Sequence, residues 1–217
     1  MIDVTLIDSM GSDLTVVNAA RVSFNKKSEW DSDNELKATD GILISYLARH
    51  KHMSPFGHCF ATFHVKAPVF VARQLVKHKF LRWNEVSRRY VDEQPKYYSP
   101  TTWRGRADDK KQGSSGEVSL SYRTISVLAK HEVWCNKAYK QLLEQGIAPE
   151  QARLFLPAYS MYVIYRWSCS LQSVALFLNQ RLSEDSQIEI QEYAKAVYSL
   201  SKEKFPVSID RLVAIRV

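Results

Sequence analysis

Between His58 and His78 the hydrophobic pattern changes period, so the chain must pass from extended backbone to a helix within a few residues. His58 to Val65 reads His-Cys-Phe-Ala-Thr-Phe-His-Val, rich in aromatic and β-branched residues behind turn signals, which predicts a strand. Pro68 then opens a helix, because its fixed φ suits a first helical turn. Val69, Ala72 and Val76 recur at helical spacing, while Gln74, Lys77 and His78 share the opposite, polar face. That face is the first surface on which chemistry is to be sought.

The rest of the chain mixes the same two patterns without regular alternation. Residues 2 to 7 alternate as a strand, Ser12-Asp13-Leu14 starts a helix running through Arg21, and a further helix fits Asn34 to His50. Residues 104 to 116 concentrate charge and glycine without periodicity and read as a mobile loop. A long helix follows from about Val118 until Gly146 stops it. Ser186 with Glu189 three residues later makes a capping box, after which Ile190, Tyr193, Val197 and Leu200 form an apolar stripe. Arg181 therefore sits at a helix junction. The order of elements points to an α+β fold, and 217 residues without an internal repeat suit a single domain spanning 1–217.

Composition narrows the partners. Met1 to Asp8 lacks the basic flank and apolar run of a signal peptide, and no apolar stretch is long enough to span a bilayer, so a soluble cytoplasmic protein is expected, with no membrane partner. The net charge of +7 suits a protein that handles polyanions, be they nucleic acid or phosphorylated metabolites. Cys59, Cys135 and Cys169 lie far apart and read as core thiols, not as a disulfide framework or a zinc site. His50, His52 and His58 lack further ligands at a familiar spacing, so no metal is expected. The pair Tyr97-Tyr98 reads as core.

From Lys77 to Tyr90 the chain packs basic, imidazole, acidic, hydroxyl and aromatic side chains into one span, Lys-His-Lys-Phe-Leu-Arg-Trp-Asn-Glu-Val-Ser-Arg-Arg-Tyr. Taken alone it reads as a solvated helix end followed by a basic turn. Its order, however, resembles the signature of the flavin-dependent thymidylate synthases, in which Arg-His-Arg is followed after seven residues by Ser. Here Lys77-His78-Lys79 is followed, after seven residues, by Ser87. Phe70-Val71-Ala72-Arg73-Gln74 precedes it, Ala19 to Phe24 lies upstream, and His50-Lys51-His52-Met53-Ser54-Pro55-Phe56 resembles the family's His-x-His-x-(Ser/Thr)-Pro-Phe block. Downstream, Gln151 to Pro157 and Phe177-Leu178-Asn179-Gln180-Arg181 resemble two further blocks. Several ordered blocks together are far more specific than one short pattern.

The resemblance implies methylation of deoxyuridine monophosphate (dUMP) to deoxythymidine monophosphate (dTMP), with methylenetetrahydrofolate as one-carbon donor, FAD as hydride carrier and NADPH as reductant. It further implies a homotetramer with active sites between subunits. By the same resemblance Arg181 is the catalytic residue, and Gln74, Lys77, Glu85, Ser87, Arg88, Arg89, Arg153 and Arg181 bind dUMP. Ser23, His52, Ser54, Lys77, His78, Lys79 and Glu85 then bind FAD. The chemistry behind this is definite: carbon 5 of uracil attacks an electrophilic methylene only when electron density is pushed into the ring. Thiol-dependent thymidylate synthases do so by adding a cysteine to carbon 6, whereas a guanidinium at position 181 would stabilise the developing anion at ring nitrogen 3.

The chain departs from the family pattern on the flavin side. Lys77 and Lys79 replace two arginines, which keeps the charge and loses the planar fork. Gly57 stands where an acid is common, Ser170-Leu171-Gln172 replaces Asn-Ala-Arg, Leu176 replaces a polar contact and Asp185 a histidine. Two alternatives stay open at this point: a folate-dependent pyrimidine nucleotide hydroxymethylase, and a non-catalytic nucleotide- or nucleic-acid-binding protein.

Overall fold

The computed structural model describes residues 1–108 and 113–214. In chain order the elements are β1 (Asp3–Met10), α1 (Asp13–Arg21), α2 (Ala38–Arg49), β2 (Phe60–Pro68), α3 (Val69–Leu75), β3 (Leu81–Glu85), α4 (Tyr122–Glu144), α5 (Pro149–Ala152), β4 (Tyr162–Ser170), α6 (Leu171–Arg181), α7 (Ile188–Lys204) and α8 (Pro206–Leu212). Short 3₁₀ turns occupy Val22–Phe24, Ser54–His58 and Arg153–Phe155. The strands form one antiparallel sheet in the order β1-β2-β4-β3, so the fold is α+β, as expected.

The side chains of β2 and β4 alternate until their last residues, which buries one sheet face and leaves the other largely polar. Phe63 stacks on Trp167 at 5.1 Å, and Trp167 meets Phe177 of α6 edge-on at 5.3 Å. Phe177 in turn meets Tyr193 of α7 at 5.3 Å, so α6 and α7 close the buried face. On the opposite face Thr62 and Ser168 share a hydrogen bond of 2.9 Å, in keeping with its polar character.

Several boundaries differ from the sequence reading for identifiable reasons. The α2 helix begins at Ala38 and not at Asn34, whose positive φ of 60° belongs to a turn. The second strand starts at Phe60, because Ser54–His58 is wound into the 3₁₀ turn, and it continues to Pro68. Pro68 is thus extended, with ψ of 149°, and flanks the helix instead of occupying its first turn. The long helix α4 starts after Ser121, whose hydroxyl accepts from the Thr124 amide. It ends as expected at Gly146, φ 80°, where the Gly146 and Ile147 amides donate to the Leu143 and Leu142 carbonyls. The capping box at Ser186 is not formed. Gln187 flanks α7, the Ser186 hydroxyl donates to the Gln180 carbonyl, and Glu189 is engaged elsewhere.

Two links fasten distant segments. Asp13, at the start of α1, accepts the amides of Val207 and Ser208, both at 2.9 Å, in the first turn of α8. Replacing Asp13 with alanine leaves two donors of that turn without a partner and is expected to cost about 2 kcal/mol, read from urea unfolding. The segment read as a loop is joined at its base by an antiparallel backbone β-bridge between Arg104 and Glu117 and by the Gly105 amide, which donates to the Gly116 carbonyl at 3.0 Å. Residues 109–112 of that segment lie outside the described residues.

Candidate active site

The polar face expected on one helix, Gln74 with Lys77 and His78, is split by the structure. Helix α3 ends at Leu75, so Lys77 and His78 belong to the turn 76–80 that leads into β3. The buried side of α3 is Val71, Ala72 and Leu75, whereas Val76 is exposed. The turn returns the chain to the sheet, and its last residue, Phe80, has a positive φ of 62°.

This reversal brings His78 to Arg181, the last residue of α6. The Arg181 Nε–H donates to His78 Nε2 at 3.2 Å, and Arg181 Nη2 reaches the Gln74 carbonyl at 3.4 Å. The Gln74 side chain donates to Gln187 Oε1 at 2.9 Å. Because arginine only donates, His78 Nε2 must be unprotonated, which puts the imidazole proton on Nδ1. Burial, reinforced by the Arg181 charge, lowers the His78 pKa to about 4. Burial also lowers the pKa of Arg181, whose guanidinium is half-buried. Of its five N–H donors two are engaged, so three remain for a ligand.

A second group sits at the other end of β3, about 13 Å along the strand. There the Ser87 hydroxyl accepts the Arg89 amide at 3.2 Å, and the Ser87 carbonyl accepts from Tyr90 and Val91 at 3.1 Å. Arg88 donates to the Glu93 carbonyl. Arg89 pairs with Glu150 of α5 at 3.2 Å, which sets the Ser87 turn beside the helix that leads directly into Arg153. These are hydroxyl and guanidinium donors of the kind a phosphate needs. Glu85 is exposed and accepts from Trp83 Nε1 at 3.3 Å. Among the described residues no hydrogen bond or ion pair joins this group to Arg181.

Of the residues expected to hold flavin, Lys79 and the turn that opens with Ser54 pack against the start of α6, whereas His78 meets Arg181 at its end and Glu85 lies at the far end of β3. Gly57, in the turn that opens with Ser54, has room for a β-carbon 3.9 Å from Gln172 Oε1. Ser173 donates to the carbonyls of Lys79 and Phe80 at 3.3 and 3.2 Å, which fixes the basic turn against the same helix end. His52 stacks with Tyr46 at 6.0 Å on the surface, and Ser23, Ser54, Lys77 and Lys79 are exposed. Lys79, in a turn fixed to the first turn of α6, and Ser54, which opens the 3₁₀ turn packed on that helix, are a cation and a hydroxyl of the kind a pyrophosphate needs near a helix N-terminus, so these residues fit a dinucleotide flavin.

The cysteines are buried, as expected. Burial pushes the Cys59 thiol up to about 11, and burial likewise raises Cys169, so neither is poised as the thiolate that addition to carbon 6 demands. Sequence reasoning missed Gln187, the partner of Gln74, and the trio of buried Glu189 with half-buried Arg104 and Tyr98. A cleft of about 420 Å³ lies along that trio, lined by Phe70, Tyr98, Trp103, Arg104, Gln187 and Glu189 among others. Tyr98, expected in the core, is half-buried with its hydroxyl on Glu189 at 3.0 Å. A signal did exist: Glu189 lies four residues before Tyr193 on the buried side of α7.

The family model described as thymidylate synthase complementing protein matches residues 5–207. The chain is 39% identical over 205 residues to a flavin-dependent thymidylate synthase of Thermus thermophilus, covering 94% of this chain and 73% of that protein. It is 38% identical over 213 residues to the enzyme of the same name from Thermotoga neapolitana, covering 97% and 90% respectively. Among solved structures it is similar to a UMP/dUMP methylase, PolB of Streptomyces cacaoi, bound with 5-Br dUMP. The TM-score is 0.84 at 30% identity, over 99% of this chain and 98% of that one. With the family model matching residues 5–207, relatives 38–39% identical over most of their length and a half-buried Arg181 held by two acceptors, the chain belongs to the flavin-dependent thymidylate synthase family of methyltransferases.

Proposed function

We propose that this chain, acting as one domain over 1–217, converts dUMP to dTMP with methylenetetrahydrofolate as one-carbon donor and NADPH as reductant. In this reading it works in the cytoplasm as a homotetramer, and FAD, when bound and reduced, supplies the hydride that completes the methyl group. The observation that carries the reading is the Arg181 guanidinium, held by His78 and the Gln74 carbonyl with three N–H groups to spare.

Arg181 stabilises negative charge at nitrogen 3 and the adjacent oxygen as density moves to carbon 5. Gln74 hydrogen-bonds the nucleotide, with Lys77 and Glu85 at its edge, and Ser87, Arg88, Arg89 and Arg153 hold the phosphate. Ser23, His52, Ser54, Lys77, His78, Lys79 and Glu85 line the flavin side. The separation of the Ser87 group from Arg181 within one chain supports sites completed between subunits. So does the face of α4 that exposes Tyr122, Val127, Val133 and Trp134, apolar surface of the kind that marks association.

The test is an anaerobic incubation with folate donor, FAD and NADPH, read by product mass, with dUMP and UMP in parallel because a similar structure is that of a UMP/dUMP methylase. A methyl product from dUMP is expected. A hydroxymethyl product would replace this reading with the hydroxymethylase, and no product from any pyrimidine nucleotide would end both.

A further inference from the structure

We propose that His78 is a positioning residue for Arg181: its neutral imidazole accepts the Arg181 Nε–H and so turns the remaining guanidinium N–H groups toward the pyrimidine. This rests on the methylation reading and adds a role to a residue that the resemblance places on the flavin side.

The turn carrying His78 is fixed from three directions. The His78 amide donates to the Leu75 carbonyl at 2.9 Å, Ser173 holds the Lys79 and Phe80 carbonyls, and the imidazole meets the Phe177 ring edge-on at 5.2 Å. Phe80 keeps a left-handed φ of 62°, uncommon for an aromatic residue, so the surroundings dictate the backbone here. A ring held this way presents Nε2 in one direction, and the Arg181 Nε–H lies 3.2 Å along it. The second acceptor, the Gln74 carbonyl, is a backbone group, so His78 is the only side chain among the described residues that fixes the guanidinium.

The charges around the ring keep it an acceptor. From α6 it faces Arg181, its own turn carries Lys77 and Lys79, and α3 presents the Gln74 carbonyl while its one cation, Arg73, bonds to the Tyr159 hydroxyl. Protonating His78 would put another cation among these and turn its lone pair into a competing donor. With its pKa lowered to about 4, the ring stays neutral throughout the neutral range, and its hold on Arg181 is lost only in acid. Lysine at 181 could not substitute, having no Nε–H beside a planar fork.

The experiment compares His78→Phe and His78→Gln with the wild-type holoenzyme. Phenylalanine keeps the contact with Phe177 but removes the acceptor, and is expected to lower kcat about tenfold to a hundredfold. KM for dUMP should stay within about twofold, and the loss of rate should persist at saturating FAD. Glutamine, whose amide oxygen can accept the Nε–H, should recover most of the rate. The His78→Phe/Arg181→Ala double variant should be no slower than Arg181→Ala alone. Independently of turnover, the His78 ring titration followed by NMR should move upward from about 4 in Arg181→Ala. Loss of flavin in His78→Phe with the rate restored by excess FAD would overturn the proposal, as would multiplying losses in the double variant or a titration indifferent to Arg181. Failure of the underlying reaction looks different: the wild-type chain yields no methylated nucleotide at all.

Discussion

Replacing Arg181 with alanine is expected to lower turnover of dUMP to dTMP by about a hundredfold to a thousandfold, the range for removing one preorganised donor from a developing oxyanion. Nucleotide affinity should fall far less, because Gln74, Ser87, Arg89 and Arg153 would still hold the ring edge and the phosphate. Isothermal titration with dUMP and a single-turnover assay separate these effects. A loss of affinity as large as the loss of rate would make Arg181 an anchor, and an unchanged rate would remove it from the chemistry. Arg181→Lys sharpens the comparison. It keeps a cation but not the fork or the Nε–H that meets His78, so it should resemble alanine more than wild type.

The ordered polar blocks were legible in the sequence because each is a short run, and the family match over residues 5–207 agrees with them. The fold class and the α1, α4 and α7 helices were legible too, since their apolar periods are local, although the start expected for α4 and the capping box expected for α7 were not the ones formed. Strands β3 and β4 were not. Leu81–Glu85 lies inside a run so charged that it reads as a turn, and only its pairing with β4 makes it a strand. The meeting of His78 with Arg181 spans 103 positions and depends on a left-handed Phe80 that no local pattern announces. Glu189 shows the opposite failure. Its spacing from Ser186 fits a capping box, but the Arg104 guanidinium, whose Nη2 reaches both carboxylate oxygens, outcompetes a backbone amide for them. The non-catalytic binding alternative drew on the same basic stretch that family membership now assigns to an enzyme.

Arg104→Ala is expected to be the most destabilising single change at the site's periphery, at about 3 kcal/mol in urea unfolding at neutral pH. Glu189 is only 4% exposed, and Arg104 Nη2 reaches its two oxygens at 2.7 and 2.8 Å, with the Tyr98 hydroxyl at 3.0 Å. Burial alone would raise the Glu189 pKa, but the hydrogen bonds from Arg104 and Tyr98 outweigh it and hold the carboxyl below its usual 4.5. A depressed carboxyl contributes stability above that value and loses it as pH falls through the folded pKa. Without Arg104 the sign reverses, because burial then dominates and the folded-state pKa rises above the unfolded one. The deficit of Arg104→Ala should therefore be largest at neutral pH and shrink in mild acid as Glu189 takes a proton. Adding Glu189→Gln to Arg104→Ala should abolish that pH dependence and restore part of the stability, since a neutral amide costs less to bury than a lone carboxylate. The effect should reach the nucleotide. Gln187, two residues before Glu189, holds the Gln74 side chain at 2.9 Å, so loosening the first turn of α7 should raise KM for dUMP before it lowers kcat. A variant equally stable at all pH values would show that Glu189 is already protonated in the native protein and that the ion pair holds nothing in place.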